Sequence, residues 1–385
     1  MSQTVRSLLV LLVGGAVMVL AVGRLVNAPA FPLPKDFPEY WAAGRVNLQG
    51  KNPYDPARLL AEQRTIDPDK SAAVMMWNPP HSLALYMPLG LLPVVLASLL
   101  WGCLQLAAIA IACDLLWRQY AVGRPRWLGQ LAGLSCVGTG WVVAYGQNTG
   151  LLALGLAGFL HFSRRGKPRA AGACAALTAL KPHLLAGFGV LLIADALTRR
   201  GRVALAAGVS VIALSLGVAV VANPSVIGEF MTAVREPAEG AVPLAAWELP
   251  VPSYALRMSI APTRFWVQFV PCGLACVALL AWRLRLGNAW DWHRTLPAVV
   301  AVSVLTTPYG GWIFDLPVLL VPVVWCAGRL ASNARWRLLA VFLAGQAIIT
   351  ASSFALGGAL DDFWWVAPAS LGLCLLGKIA PLRPD

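Results

Sequence analysis

Charge is scarce in this chain. Asp, Glu, Lys and Arg make up 12% of its 385 residues, and only 17 of them are acids. Apolar residues account for 58%, with a mean hydropathy of +0.69, which lies far outside the range of a soluble globular domain. The four His are scattered without metal-ligand spacing, so no metal site is expected and the chemistry is read as needing no cofactor. Eight Cys, at 103, 113, 136, 174, 272, 276, 326 and 374, all fall within apolar runs, which argues against a disulfide framework or a zinc knuckle and for small packing residues.

What is abundant is apolar sequence of spanning length. A bilayer core takes roughly 20 apolar residues per helical crossing, and lipid leaves no backbone group unpaired, so the runs predict helices and no strands. Candidate spans lie near 7–26, 94–117, 127–145, 150–163, 169–181, 184–198, 203–222, 264–282, 295–308, 316–328, 338–355 and 363–378. The expected fold is an all-α polytopic membrane protein of about 12 (10–13) transmembrane helices, forming one integral membrane domain over residues 1–385. Several runs are only about 13 to 15 residues long, which suits short, tilted or re-entrant segments. Residues 1–30 share features with a secretory leader, but Pro29 spoils the cleavage pattern in "NAPA", and a retained anchor is expected.

The net charge of +13 is unevenly distributed. With Met1 in the cytoplasm, alternate loops, the span ends beside them and the tail hold 19 of the 30 Lys and Arg but 4 of the 17 acids, leaving 11 basic and 13 acidic residues on the other side. Both termini are therefore expected in the cytoplasm. In a soluble chain this basic balance would suggest nucleic acid, but here it is spread over short loops at one membrane face, and no nucleic-acid partner is expected. The two long connections, 27–82 and 223–262, fall on the outer side, so function is expected there.

In the first of these, "DFPEYWAAGRVNLQGKNPYD" (36–55) follows Pro29, Pro32 and Pro34, which forbid helix continuation. Asp36 and Glu39 have the spacing of a capping box at a helix start. Phe37, Tyr40, Trp41 and Leu48 can share an apolar face, predicting a short helix lying in the membrane interface. Asp55 and Pro56 predict a second helix toward Arg64. A carboxylate at the outer edge of a span, beside aromatics that can pack on a sugar ring, also suits a general base, so Asp36 is read both as cap and as base.

Other polar residues collect at span ends. "WNPPH" carries Asn78 and His81, "YGQNTG" carries Gln147 and Asn148, and "LKPHLL" sets Lys181 and His183 in apolar surroundings. A lysine there costs several kcal/mol unless paired or snorkelling, so it is either a helix-end cation or a functional group. Arg257 lies in the second long loop. "TTPYGGWIFDLPVLLVP" (306–322) contains Tyr309 and embeds Asp315 after a Gly-Gly break.

Taken together, these segments resemble glycosyltransferase family 87. The opening matches Asp-Phe-x-x-Tyr-Trp-x-Ala-Gly, and "WNPPHSLALYMPLGLLP", "GQNTGLLALGL", "ALKPHLL" and "TPYGGWIFDLPVLLVP" follow in the family's order across about residues 30 to 325. The resemblance implies a GT-C-like bundle in a bacterial inner membrane. Such an enzyme takes a hexose, mannose above all, from a polyprenyl-phosphate donor at the extracytoplasmic face and passes it with inversion to a lipid or glycan acceptor. It also implies Asp36 as the family's catalytic acidic residue after the first span, with Gln147, Asn148, Lys181 and Asp315 on recurrent motifs. The chain departs from the pattern at Trp77-Asn78, where Tyr often precedes the proline pair, and at His183, where Gln is common.

An inverting transfer needs one base and a stabilised leaving group. A departing polyprenyl phosphate needs a cation, and Lys181 and Arg257 are the candidates. Glu39, Tyr40, Trp41, Asn78, His81, Gln147, Asn148, His183, Tyr309 and Asp315 are candidate substrate contacts. The alternative class is a secondary transporter or flippase of a lipid-linked or polar substrate, with Lys181 and Asp315 as its binding residues.

Overall fold

The computed structural model describes residues 33–235, 244–356 and 359–379, and the expected first span at 7–26 lies outside them. Among the described residues there are helices, turns and no strands. Five helices are long and apolar enough to cross a bilayer: Val94–Tyr120, Arg199–Ala222, Phe265–Ala289, Ile313–Ser332 and Trp336–Leu356. Trp127–Ser135 and Val137–Tyr145 would make a sixth, bent by 66° at Cys136.

Among the described residues, the other apolar runs expected as spans are shorter or broken. The runs 169–181 and 184–198 become a helix at Pro168–Ala175, tight turns at Ala176–Leu180 and Pro182–Leu185, and a helix at Ala186–Asp195. Pro182 denies the chain its next helical hydrogen bond, and Lys181 sits in the break with extended geometry (φ −138°, ψ 74°). Residues 150–163 lie in Thr149–Arg164, whose 16 residues reach only about 24 Å and are buried almost all round. The run 363–378 divides into Leu360–Trp365, Val366–Cys374 and Leu376–Ile379. Broken backbone of this kind is tolerated at membrane depth where protein or a cavity surrounds it.

Burial separates the middle of the bundle from its rim. In Ile313–Ser332, 89% of the most apolar window is buried, against 17% in Arg199–Ala222. The first is a central helix and the second presents its flank outward.

The opening stretch folds as Phe37–Leu48 and Pro56–Arg64. As expected, Asp55 caps the second, accepting from the amides of Ala57 and Arg58. The apolar face expected on the first is covered by protein. Phe37, Tyr40, Trp41, Ala42, Ala43 and Val46 are all buried, and within the helix only Arg45 and Leu48 reach the surface. The cause is Leu83–Gly90, which packs along it through two glycines. A Cβ on Gly44 would sit 2.3 Å from the Tyr86 carbonyl oxygen, and one on Gly90 2.5 Å from the Arg45 nitrogen. Tyr40 stacks on Tyr86 at 4.5 Å, and both rings meet Trp101.

Gly44→Ala is accordingly expected to destabilise by about 1–3 kcal/mol or more, because a backbone atom must move. Gly228→Ala, in the helix Val226–Arg235 with open space at its Cβ, is expected to be neutral or slightly stabilising. Thermal unfolding of the two variants in detergent checks the contrast, and equal transitions would contradict this packing.

Candidate functional site

Asp36 precedes the first turn of Phe37–Leu48, but its side chain makes no capping bond. The capping-box expectation thus fails, and the carboxylate is directed elsewhere. Its Oδ2 accepts from Gln147 Nε2 at 2.6 Å. Gln147 comes within reach because Val137–Tyr145 ends at Gly146 in the left-handed region (φ 72°). Any side chain there would collide with Phe37 and Pro34, since a Cβ would lie 2.7 Å from the Phe37 Cβ. Asp36 N–H donates to the Tyr145 carbonyl at 2.9 Å and Trp101 Nε1 to that of Gly146 at 2.7 Å, which locks the two segments together.

The other end of the same amide holds a cation. Gln147 Oε1 accepts from Lys181 Nζ at 2.7 Å and from the Tyr40 hydroxyl at 2.7 Å. Lys181 also donates to Asp315 Oδ1 at 2.7 Å, where both side chains are nearly solvent-free. Asp315 Oδ2 accepts from the Gly311 amide at 3.0 Å, an approach that the positive φ of Gly310 and Gly311 makes possible. The result is one line of contacts, Asp36 to Gln147 to Lys181 to Asp315. It joins four segments far apart in sequence.

Asp36, Glu39, Asn78, Gln147, Lys181, His183 and Tyr309 line a cavity of about 790 Å³. His183 stacks on Tyr309 at 4.1 Å. Asn78 donates to the Tyr86 hydroxyl at 3.0 Å and Asn148 to the same oxygen at 2.8 Å, but Asn148 is fully buried and lies behind the lining. Trp41 is likewise a packing residue here, donating to the Leu92 carbonyl at 3.0 Å. His81 falls in the turn Pro80–Ser82, off the lining. Asp315 backs Lys181 from behind.

Arg257 is also off the lining. It is buried on the helix Pro252–Ile260, with its guanidinium over the rings of Tyr254 and Phe265 at 5.2 and 5.6 Å. Among described residues, Lys181 is the only Lys or Arg lining the cavity, against the carboxylates Asp36, Glu39, Glu248 and Asp361. Burial pushes the Asp36 carboxyl above its ordinary range, opposed by the Gln147 hydrogen bond and the Lys181 charge. Burial, reinforced by the charge of Asp36, raises Glu39 further. No group of three or more His, Cys, Asp or Glu among the described residues is arranged to hold a metal ion.

The aromatic wall was not anticipated. Trp77 meets Trp247 at 5.6 Å, Trp247 meets Trp312 at 5.2 Å, and Trp312 meets Phe314 at 5.6 Å. Each tryptophan stands close to a Pro or Gly break, in "WNPP", "WELP" and "YGGW", and that shared pattern is the signal that could have found them. Such faces pack on sugar rings, while the carboxylates and amides between them can take hydroxyl hydrogens.

The family model described as Glycosyltransferase family 87 matches residues 77–308, more than half of the chain. Asn78, Gln147, Lys181 and Arg257 fall inside the matched span, and Asp36, Tyr309 and Asp315 outside it. No curated protein and no solved structure matches the chain.

Proposed function

The chain belongs to glycosyltransferase family 87, and from that premise we propose which reaction it performs and where. It is a membrane glycosyltransferase. In our reading it is of the GT-C type, taking a hexose, mannose first, from a polyprenyl-phosphate donor and giving it with inversion to a lipid or glycan hydroxyl at the extracytoplasmic face.

One observation carries the proposal. A half-buried carboxylate that does no capping work opens on an aromatic-walled cavity and is tied through a single glutamine to a buried lysine. Asp36, as the base, accepts the proton of the acceptor hydroxyl while that oxygen forms a bond to the anomeric carbon from the face opposite the phosphate. The bond from the anomeric carbon to the phosphate oxygen breaks, and the phosphate leaves with the electron pair. Lys181 stabilises the charge that grows on it, as donors aimed at a developing oxyanion do. We assign this role to Lys181 ahead of Arg257 because Lys181 lines the cavity. Gln147 holds base and cation in register. Trp77, Trp247 and Trp312 offer ring faces to the sugars.

This chemistry requires the cavity to open on the outer side. The basic excess on the opposite loops supports that orientation. On a background lacking the native Cys, Lys51→Cys, at an exposed position beyond the first described helix, is expected to react with an impermeant thiol reagent in intact cells. Labelling only after permeabilisation would reverse the topology and separate the cavity from an outer-leaflet donor.

A further inference from the structure

At the basic end of the bundle lies a second cavity, of about 380 Å³, that plays no part in the chemistry above. Three segments where helices end and begin meet around it, 163–169, 198–202 and 283–294, which together carry ten Lys and Arg and one acid. Charge of this sign is expected on cytoplasmic loops for orientation alone, but orientation does not require that the loops converge on a cavity.

Two further features do point to a ligand. The first is uncompensated charge. Of the carboxylates in the lining, Asp195 is engaged by Arg283 at 2.9 Å and by the Trp292 indole, and Asp291 caps the helix Trp292–Leu305 and faces Arg294 at 3.8 Å. Among the described residues, Arg164 donates to the neutral Gln119 at 3.0 Å, and neither it nor Arg200 pairs with a carboxylate. The second feature is the aromatic cluster at its side. Trp290 meets Trp282 at 5.2 Å and Trp292 at 5.4 Å, and Trp292 meets Phe159 at 5.1 Å. Indoles beside arginines at a span end mark the depth of lipid headgroups. Basic pockets between spans on the cytoplasmic side bind anionic headgroups.

We propose that this cavity binds the phosphate-bearing headgroup of an anionic membrane lipid. Arg164 and Arg200 grip the phosphate, and the Trp290 and Trp292 side of the cavity takes the glycerol and upper acyl region.

The test uses the whole protein, delipidated in detergent, with phosphatidylglycerol, phosphatidylcholine or inorganic phosphate added. Thermal stability and the number of lipids retained in native mass spectrometry are read for each. Phosphatidylglycerol is expected to stabilise and be retained, and phosphatidylcholine is not. Arg164→Gln/Arg200→Gln should weaken phosphatidylglycerol binding on the order of tenfold or more. Both residues are exposed, so folding should survive, and Arg337→Gln, exposed at the start of Trp336–Leu356, should bind as the parent does. Equal response to the two lipids, or full binding by the double variant, would overturn the proposal. Stabilisation by inorganic phosphate alone would make this a soluble-anion site and overturn the lipid assignment. None of these readings depends on sugar transfer.

Discussion

Asp36→Asn is expected to leave the protein folded and its donor bound while sugar transfer falls about 10²–10⁴-fold, the usual cost of removing a general base. The fold should survive because the Asp36 side chain does not cap its helix, and an asparagine oxygen can still accept from Gln147 Nε2. What asparagine cannot do is take the acceptor's proton. The wild-type pH profile carries the same signature. A base works deprotonated, and burial raises the Asp36 carboxyl, so the rate should climb with pH along a limb that lies above the ordinary carboxylate range. Transfer rate, donor binding and thermal stability measured on one purified sample check the set, and near-normal transfer by the variant would remove Asp36 from the mechanism.

Lys181→Met is expected to lower turnover by about 2–4 kcal/mol of transition-state stabilisation, comparable to the loss of an oxyanion-hole donor. It should also cost stability, about 3–5 kcal/mol, because Asp315 would stay buried and charged without its partner at 2.7 Å. A second variant separates the two effects. In Lys181→Met/Asp315→Asn the orphaned charge is gone, so folding should recover while turnover stays low. Recovery of turnover together with folding would show that Lys181 merely neutralises Asp315. The leaving group would then need another cation, with Arg257 next to be examined.

Much of the site can be read in the sequence because polar residues are conspicuous in an apolar chain. Lys181 and Asp315 stand out for the cost of burying them, and Gly310-Gly311 and Pro182 announce the breaks beside them. Their pairing, however, depends on how two broken segments 134 residues apart approach, and no local pattern encodes that. The opening helix was read half correctly. Asp55 and Pro56 start a helix by short-range rules, and they do so in the structure. Phe37, Tyr40 and Trp41 look interfacial by periodicity, yet Gly44 and Gly90 let a second helix cover them. Such coverage is a tertiary fact. The short runs 169–181 and 184–198 were legible as interrupted, but hydropathy does not say how the chain turns between them, as it does at Lys181-Pro182. Trp247 and Trp312 went unremarked because a tryptophan near a membrane surface has an ordinary explanation as an anchor until its neighbours are known.

The most direct measurement is of bond cleavage. Purified protein in nanodiscs, given a polyprenyl-phosphate sugar labelled in the sugar and a membrane extract as acceptor, should release free polyprenyl phosphate in step with label appearing on the acceptor, and Asp36→Asn should abolish both. A transporter or flippase would do neither. If the same protein in sealed vesicles moved the lipid-linked sugar across the bilayer intact, with no polyprenyl phosphate formed, the transferase chemistry assigned to Asp36 and Lys181 would be contradicted.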